Sequence, residues 1–342
     1  MNTFEWANAT SVDDAIALMK TDGAAIKAGG VDLLDLMKEH LAEPKRVVNI
    51  RNIRDLDYIK LDGDTLRVGP LVTLAKLSED QTVRQKFTAL ADAAGHAATP
   101  QIRNMATVGG NILQRPRCWY FRNELFHCRK KGGEICYAHE GENQYHAIFN
   151  NQLCAIVHPS ATSVALVALG ASIELTGADN KKRTMKLEEF FVLPQQDLHR
   201  ENSIKPDELI TEIRVPALPA SAKSVYIKHG EKESFDWPLA EIAVVIDRDG
   251  DGRCKSASIV LGAAAPVPHR AKQAEAALVR QKIDESLVRN AAKAALKDAT
   301  PLANNRYKVA LFQTLIEQAV LGAVATRGEA EGGPRNQGAG AR

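Results

Sequence analysis

Apolar and polar positions alternate in short blocks along this chain, and the blocks change period several times. Ser11-Val-Asp-Asp14 reads as a capping box closed by a short acid, and Ala15, Leu18 and Met19 then follow helical spacing. Ala24–Ala28 is a short apolar run that ends in Gly29-Gly30. Val31–Met37 after it has helical periodicity. Strand, Gly-Gly, helix is an arrangement that points free backbone N–H groups at an anion such as a phosphate. The GxGxxG dinucleotide fingerprint is absent, and Gly29-Gly30 taken alone is more often a plain tight turn.

Arg46–Ile50 and Leu66–Pro70 read as strands, with Asp62-Gly63 as a hairpin-type turn between them. Residues 73–79 and 81–95 have helical spacing. A short β-rich second unit therefore begins near residue 55 and returns to strands at Ala171–Leu175 and Glu208–Val215. Leu193–Lys205 is polar and loop-like, and Pro216–Ala222 has linker composition. A third unit begins near Lys223. Val225–Lys228 alternates as a strand, while Ala240–Ile246 and Ser256–Leu261 flank an Asp-Gly turn in DRDGDGR. That loop superficially resembles a calcium loop through Asp247, Asp249 and Asp251, but Ser258 stands where the closing Glu belongs, so the reading is a hairpin turn. Helical stretches are predicted near 270–280, 284–297 and 303–324, and a Gly-rich disordered tail over 327–342. No repeat of 20–50 residues is visible.

At 342 residues there is room for two or three domains and ample core. The formal net charge of +2 gives no reason to expect nucleic acid or an anionic membrane as partner. No apolar run approaches the roughly 18 residues of a membrane span. The acidic, polar N-terminus predicts no export signal, hence a cytoplasmic location, or a periplasmic one only through a signal-bearing partner.

The chemistry concentrates between Ala98 and Ser160. Four of the 5 cysteines fall there, Cys118, Cys128, Cys136 and Cys154, whereas Cys254 lies far downstream. Such a clustered distribution is no disulfide scaffold; it points to metal binding. Four thiolates bind zinc or an iron–sulfur cluster. The absence of any CxxC pair implies a long loop pinned over a scaffold, which suits a cuboidal cluster better than a zinc knuckle, yet the spacing alone leaves zinc and iron–sulfur nearly even. Four unrelated buried cysteines are the bland alternative. His127, His139, His146 and His158 are nearby candidate ligands, read here as hydrogen-bonding groups of the loop.

The motifs AIKAGGVDLLDLMK (25–38), TPQIRNMATVGGN (99–111), HPS followed by VALVALGA (158–171), DELITEIRVP (207–216), YIKHGEKESFDWPLA (226–240) and GAAAPVPHRA (262–271) together resemble the FAD-binding medium subunit of the xanthine dehydrogenase (molybdenum hydroxylase) family. The segment RCWYFRNELFHC…C…GENQYHAIF…CAIVHPS is similar to an insertion of some members, certain aldehyde dehydrogenases and the hydroxybenzoyl-CoA reductases, that binds an extra 4Fe–4S cluster. This likeness, rather than the spacing, favours iron–sulfur over zinc and implies Cys118, Cys128, Cys136 and Cys154 as its ligands.

The resemblance implies an α+β chain. A two-part FAD-binding domain of the vanillyl-alcohol-oxidase (PCMH) type would span 1–55 and 56–218, with the 4Fe–4S insertion at about 115–157. An α+β C-terminal domain like that of CO dehydrogenase flavoproteins would follow over 223–326. It implies that Ala25, Ile26, Lys27, Ala28, Gly29, Gly30, Val31, Asp32 and Leu33 wrap the FAD pyrophosphate. Thr107, Gly110 and Asn111 would lie along the flavin, Ile210 would pack on the ring, and Lys228 would place a cation near it. Two positions depart from the family pattern: Ala161 stands where Asp often follows HPS, and His229-Gly230 where a basic residue is common. The implied role is electron transfer in a heterotrimer, between 2Fe–2S clusters of a small subunit and an external acceptor, with the molybdenum cofactor on a large subunit. A dimer of such heterotrimers is one assembly the resemblance implies, and no catalytic acid–base pair is expected on this chain. The reverse electron flow of a hydroxybenzoyl-CoA-reductase-like enzyme is the alternative; a zinc-bearing scaffold and a stand-alone FAD reductase are weaker rivals.

Overall fold

The computed structural model describes residues 1–232 and 235–325, so the expected tail at 327–342 lies outside the described residues. Three sheets follow one another along the chain. The first holds β1 (Glu5–Asn8), β2 (Ala24–Lys27) and β3 (Arg46–Asn49), all parallel in the order β1-β3-β2. Helix Val12–Met19 leads into β2, and helix Val31–Lys38 returns the chain to β3. Ser11 caps the first of these helices by accepting from the Asp14 N–H. The acid of the capping box reaches back one residue further than expected, to the N–H of Thr10 at 2.8 Å.

The second sheet is antiparallel and contains β4 (Ile59–Asp62), β5 (Thr65–Val68), β6 (Ser172–Thr176), β7 (Lys182–Lys186) and β8 (Leu209–Pro216), in the order β4-β5-β8-β6-β7. Between β5 and β6 the chain leaves the sheet for about a hundred residues, which supply most of the functional groups described below. The predicted helix over 81–95 is two helices, Gln81–Lys86 and Thr88–Gly95. They are split at Phe87, whose non-helical backbone (φ −133°, ψ 50°) breaks the run while its ring is fully buried. Helix Ala161–Ala168 is buried at every residue, which explains why its sequence shows no amphipathic period.

The third sheet has the order β12-β11-β10-β9, formed by β9 (Ala222–His229), β10 (Ala240–Arg248), β11 (Cys254–Gly262) and β12 (His269–Arg270). Helices Lys272–Leu278, Glu285–Ala295 and Tyr307–Val324 cover one face, burying Ile242, Val244, Phe312 and Ile316 in a common core. The Asp-rich loop is a turn, because the Asp249 carboxylate accepts from the N–H groups of Asp251 and Arg253. Helix Ala161–Ala168 packs against β10 and β11, so the second and third units meet around it. The strands β1, β4, β7 and β12 were not foreseen; all four are short, and each lies at the edge of its sheet.

Candidate functional site

A cleft of about 590 Å³ opens where all three units meet. Its floor begins at the β2 turn. Gly30 sits at φ +81° and caps helix Val31–Lys38 with no side chain, which leaves the first-turn N–H groups facing the cleft without an internal partner. Gly29 lies so close to the Met105 carbonyl that a Cβ would collide with it. The opposite wall repeats the arrangement. Thr107 caps Val108–Ile112 by accepting from the Gly110 N–H at 3.1 Å, and a Cβ on Gly109 would press on Pro70 at 2.9 Å. Two glycine turns therefore bring bare backbone to either side of one cleft.

Every residue expected to hold FAD lines this cleft except Ala25, which lies within β2 and is absent from the wall. Asn111 is fixed by Ser160 and Thr162, whose hydroxyls donate to its Oδ1 at 2.6 and 2.5 Å. Ile210 is buried on β8, and Lys228 donates from β9 to the His96 carbonyl at 3.0 Å. Burial lowers the Lys228 ammonium pKa. Ala161 also lines the cleft and offers no polar atom there.

Further lining residues were missed: Asp35, Arg115, Arg117, Trp237 and Glu241. Glu241 is fully buried on β10; one carboxylate oxygen accepts from the Tyr226 hydroxyl and the other has no partner. Burial pushes its carboxyl up to about 7 against the opposing pull of Tyr226, Lys228 and Lys308.

Asp32 has a second duty on its side chain. Its carboxylate accepts from the Arg115 backbone N–H at 2.8 Å and pairs with Arg122 at 2.7 Å and Arg117 at 2.8 Å. Asp35, one turn on, accepts from Arg122 at 3.0 Å and Arg117 at 3.4 Å. Arg117 also lies over the Trp237 ring at 4.9 Å. Helix Val31–Lys38 thus presents backbone to the cleft and carboxylates to the segment that leads into the cysteines. One signal was available: three arginines stand at 115, 117 and 122, and two acids at i, i+3 on the facing helix.

Cys118, Cys128, Cys136 and Cys154 line one small enclosed cavity with His146, Tyr120 and Phe121. Cys128 and Cys154 are buried, and Cys118 and Cys136 are partly exposed. Backbone N–H groups point at the sulfurs, from Tyr120 and Phe121 to Cys118, from Ala138 and Ala155 to Cys136, and from Ile156 to Cys154. Burial pushes the Cys118 thiol up to about 12. Cys136 and Cys154 share a hydrogen bond that lowers the first and raises the second. Among the described residues, no three His, Cys, Asp or Glu side chains are placed to hold a single metal ion. Of the four histidines, His146 contacts Cys118 at 3.2 Å, His139 bonds the Asn151 carbonyl at 2.8 Å, and His158 accepts from the Ser160 N–H at 3.3 Å.

The loop is braced from two further directions. Glu201, in the polar stretch before β8, pairs with Arg115 at 3.1 Å and with the buried Lys130 at 2.7 Å. From the third unit, Lys308 donates to the carbonyls of His146 at 3.1 Å and Ala263 at 2.6 Å, and Asn305 to that of His146 at 3.1 Å.

Residues 2–218 match the family model described as the FAD binding domain in molybdopterin dehydrogenase, and 226–323 match the CO dehydrogenase flavoprotein C-terminal domain. The chain is a FAD-binding medium subunit of the molybdenum hydroxylase family. It is 33% identical over 314 residues to the aldehyde oxidoreductase FAD-binding subunit PaoB of Escherichia coli, covering 90% of this chain and 94% of that one. The carbon monoxide dehydrogenase medium chain of Hydrogenophaga pseudoflava is 28% identical, over 93% and 96% of the two chains. A solved structure of carbon monoxide dehydrogenase from that organism superposes with a TM-score of 0.74 at 27% identity, covering 94% of this chain and 97% of the other. The medium subunit is accordingly an oxidoreductase subunit with an FAD-binding domain of the two-part type followed by a flavoprotein C-terminal domain. The glycine turns fit such a cofactor, since they bare N–H donors on both sides of the cleft where a side chain would block approach. No helix among the described residues is long and apolar enough to cross a membrane.

Proposed function

We propose that this medium subunit carries FAD in the cleft and a 4Fe–4S cluster among Cys118, Cys128, Cys136 and Cys154, and passes electrons between a partner's 2Fe–2S clusters and an external acceptor. The carrying observation is that four cysteines scattered from 118 to 154 line one cavity, with backbone N–H groups aimed at three of the sulfurs. Zinc is the less suitable occupant. The likeness of residues 117–160 to an insertion that binds a 4Fe–4S cluster is what favours the cluster over zinc.

When bound, FAD and the cluster supply the redox chemistry, and the chain supplies binding, orientation and electrostatics. Residues Ile26 to Leu33 hold the pyrophosphate through backbone N–H groups. Thr107, Gly110 and Asn111 hold the flavin side, Ile210 packs on the ring, and Lys228 sets a positive charge beside it. Ala25 supports the turn from within β2. The 33% identity to an aldehyde oxidoreductase subunit favours an aldehyde as the substrate of the complex, oxidised at a molybdenum cofactor on a large subunit. The medium-chain relatives support a large and a small partner.

The test is anaerobic purification with flavin, iron and zinc quantified alongside a UV–visible spectrum. One FAD and about four irons per chain are expected, and Cys118→Ser should lose the iron while keeping most of the flavin. Zinc without flavin would overturn the reading, and flavin without iron would remove the cluster from it.

A further inference from the structure

We propose that His146 is a positioning residue for the cluster, donating a hydrogen bond from Nε2 to the Cys118 sulfur and so raising the cluster's reduction potential. This rests on the 4Fe–4S reading above. The contact is 3.2 Å, short for a nitrogen–sulfur pair, and the ring is 4% exposed. Its orientation is over-determined. The ring meets Trp119 edge-on at 5.7 Å and Tyr120 at 6.2 Å. The backbone of His146 donates to the Asn143 carbonyl at 3.0 Å and accepts from Asn305 and Lys308 at 3.1 Å each.

The tautomer follows from the neighbours. The ring is buried, and a neutral imidazole carries one proton on one of its two nitrogens. A thiolate only accepts. The proton therefore sits on Nε2 and Nδ1 is left as a bare acceptor, which agrees with Nδ1 being buried without a partner. The opposite tautomer would bury an unsatisfied N–H and turn a lone pair toward a negative sulfur.

An N–H···S bond stabilises the added negative charge of the reduced cluster more than it stabilises the oxidised one, which moves the potential upward. His146 adds a side-chain donor to the backbone donors of Tyr120 and Phe121 at the same sulfur. It also couples that sulfur to the third unit, because Lys308 and Asn305 fix its carbonyl.

The experiment is a redox titration of the assembled complex, followed by electron paramagnetic resonance of the cluster, for the natural chain, His146→Phe and His146→Gln. Phe keeps the aromatic packing and lacks the donor; Gln returns an N–H near the same place. The expected result is full iron and flavin in all three, a downward shift of the cluster potential in His146→Phe, and recovery of most of that shift in His146→Gln. An unchanged potential in His146→Phe would overturn the proposal. So would loss of iron in both variants, which would make His146 a ligand or a structural prop. A natural chain that holds FAD but no iron would remove the underlying cluster reading instead, and is told apart by the metal content alone.

Discussion

Glu241 is the residue whose burial is hardest to justify by packing alone. Its carboxyl is fully enclosed, has one oxygen unpartnered, and is pushed up to about 7 by burial. A folded-state pKa above the unfolded value means that the folded form binds the extra proton. The contribution is therefore fully present below about pH 4.5 and is lost as pH rises through 7. The loss is of the order of 3 kcal/mol at about 1.4 kcal/mol per unit. Glu241→Gln keeps a partner for Tyr226 and has no proton to lose. The variant should match the natural chain near pH 4.5 and exceed it increasingly up to about pH 7, with a constant gap beyond. Thermal unfolding of both proteins across pH 4.5–8.5 checks this. Nothing in PLAE marks this glutamate, because its setting is made by Tyr226 fifteen residues away and by the closing of the cleft.

At the scale of elements, the strand–Gly-Gly–helix unit was fully legible, because its signal is local. The turn needs a residue at φ +81° and a close approach to Met105, and both requirements fall on adjacent glycines. Gly29→Ala should accordingly disrupt the wall: its Cβ meets a backbone carbonyl, which cannot swing aside as a side chain would. The expected outcome is loss of bound flavin after gel filtration and a stability decrease of about 3 kcal/mol, read by chemical denaturation. The side-chain role of Asp32 was not legible, since its arginine partners lie 83 to 90 residues downstream. The break at Phe87 was hidden for a related reason, as the buried ring takes priority over helical continuity. The cysteines were legible as a set, whereas the direction from which each enters the cavity depends on contacts far along the chain.

For the molecule as a whole, the third unit does more than cap the second. Lys308 is buried completely and spends its donors on carbonyls of Tyr145, His146 and Ala263, two of them in the cysteine loop. Lys308→Met has similar bulk and no donor, so buried carbonyls lose their partner. A net cost of about 2–4 kcal/mol is expected after crediting the relief of burying no ammonium. Calorimetry of the variant should show a lower unfolding temperature and, on the proposed cluster reading, reduced iron content. A loop held only by its own contacts would keep its iron.

One consequence follows from helix Val31–Lys38 facing two ways, backbone toward the cleft and Asp32 and Asp35 toward the arginines of the cysteine segment. On the proposed reading, FAD in the cleft and a cluster among the cysteines would both lean on this helix, and two ligands that order the same residues are thermodynamically linked. Whatever factor iron loading adds to flavin affinity, flavin must add to iron loading in equal measure. On that reading, a chain lacking one cofactor would hold the other more loosely.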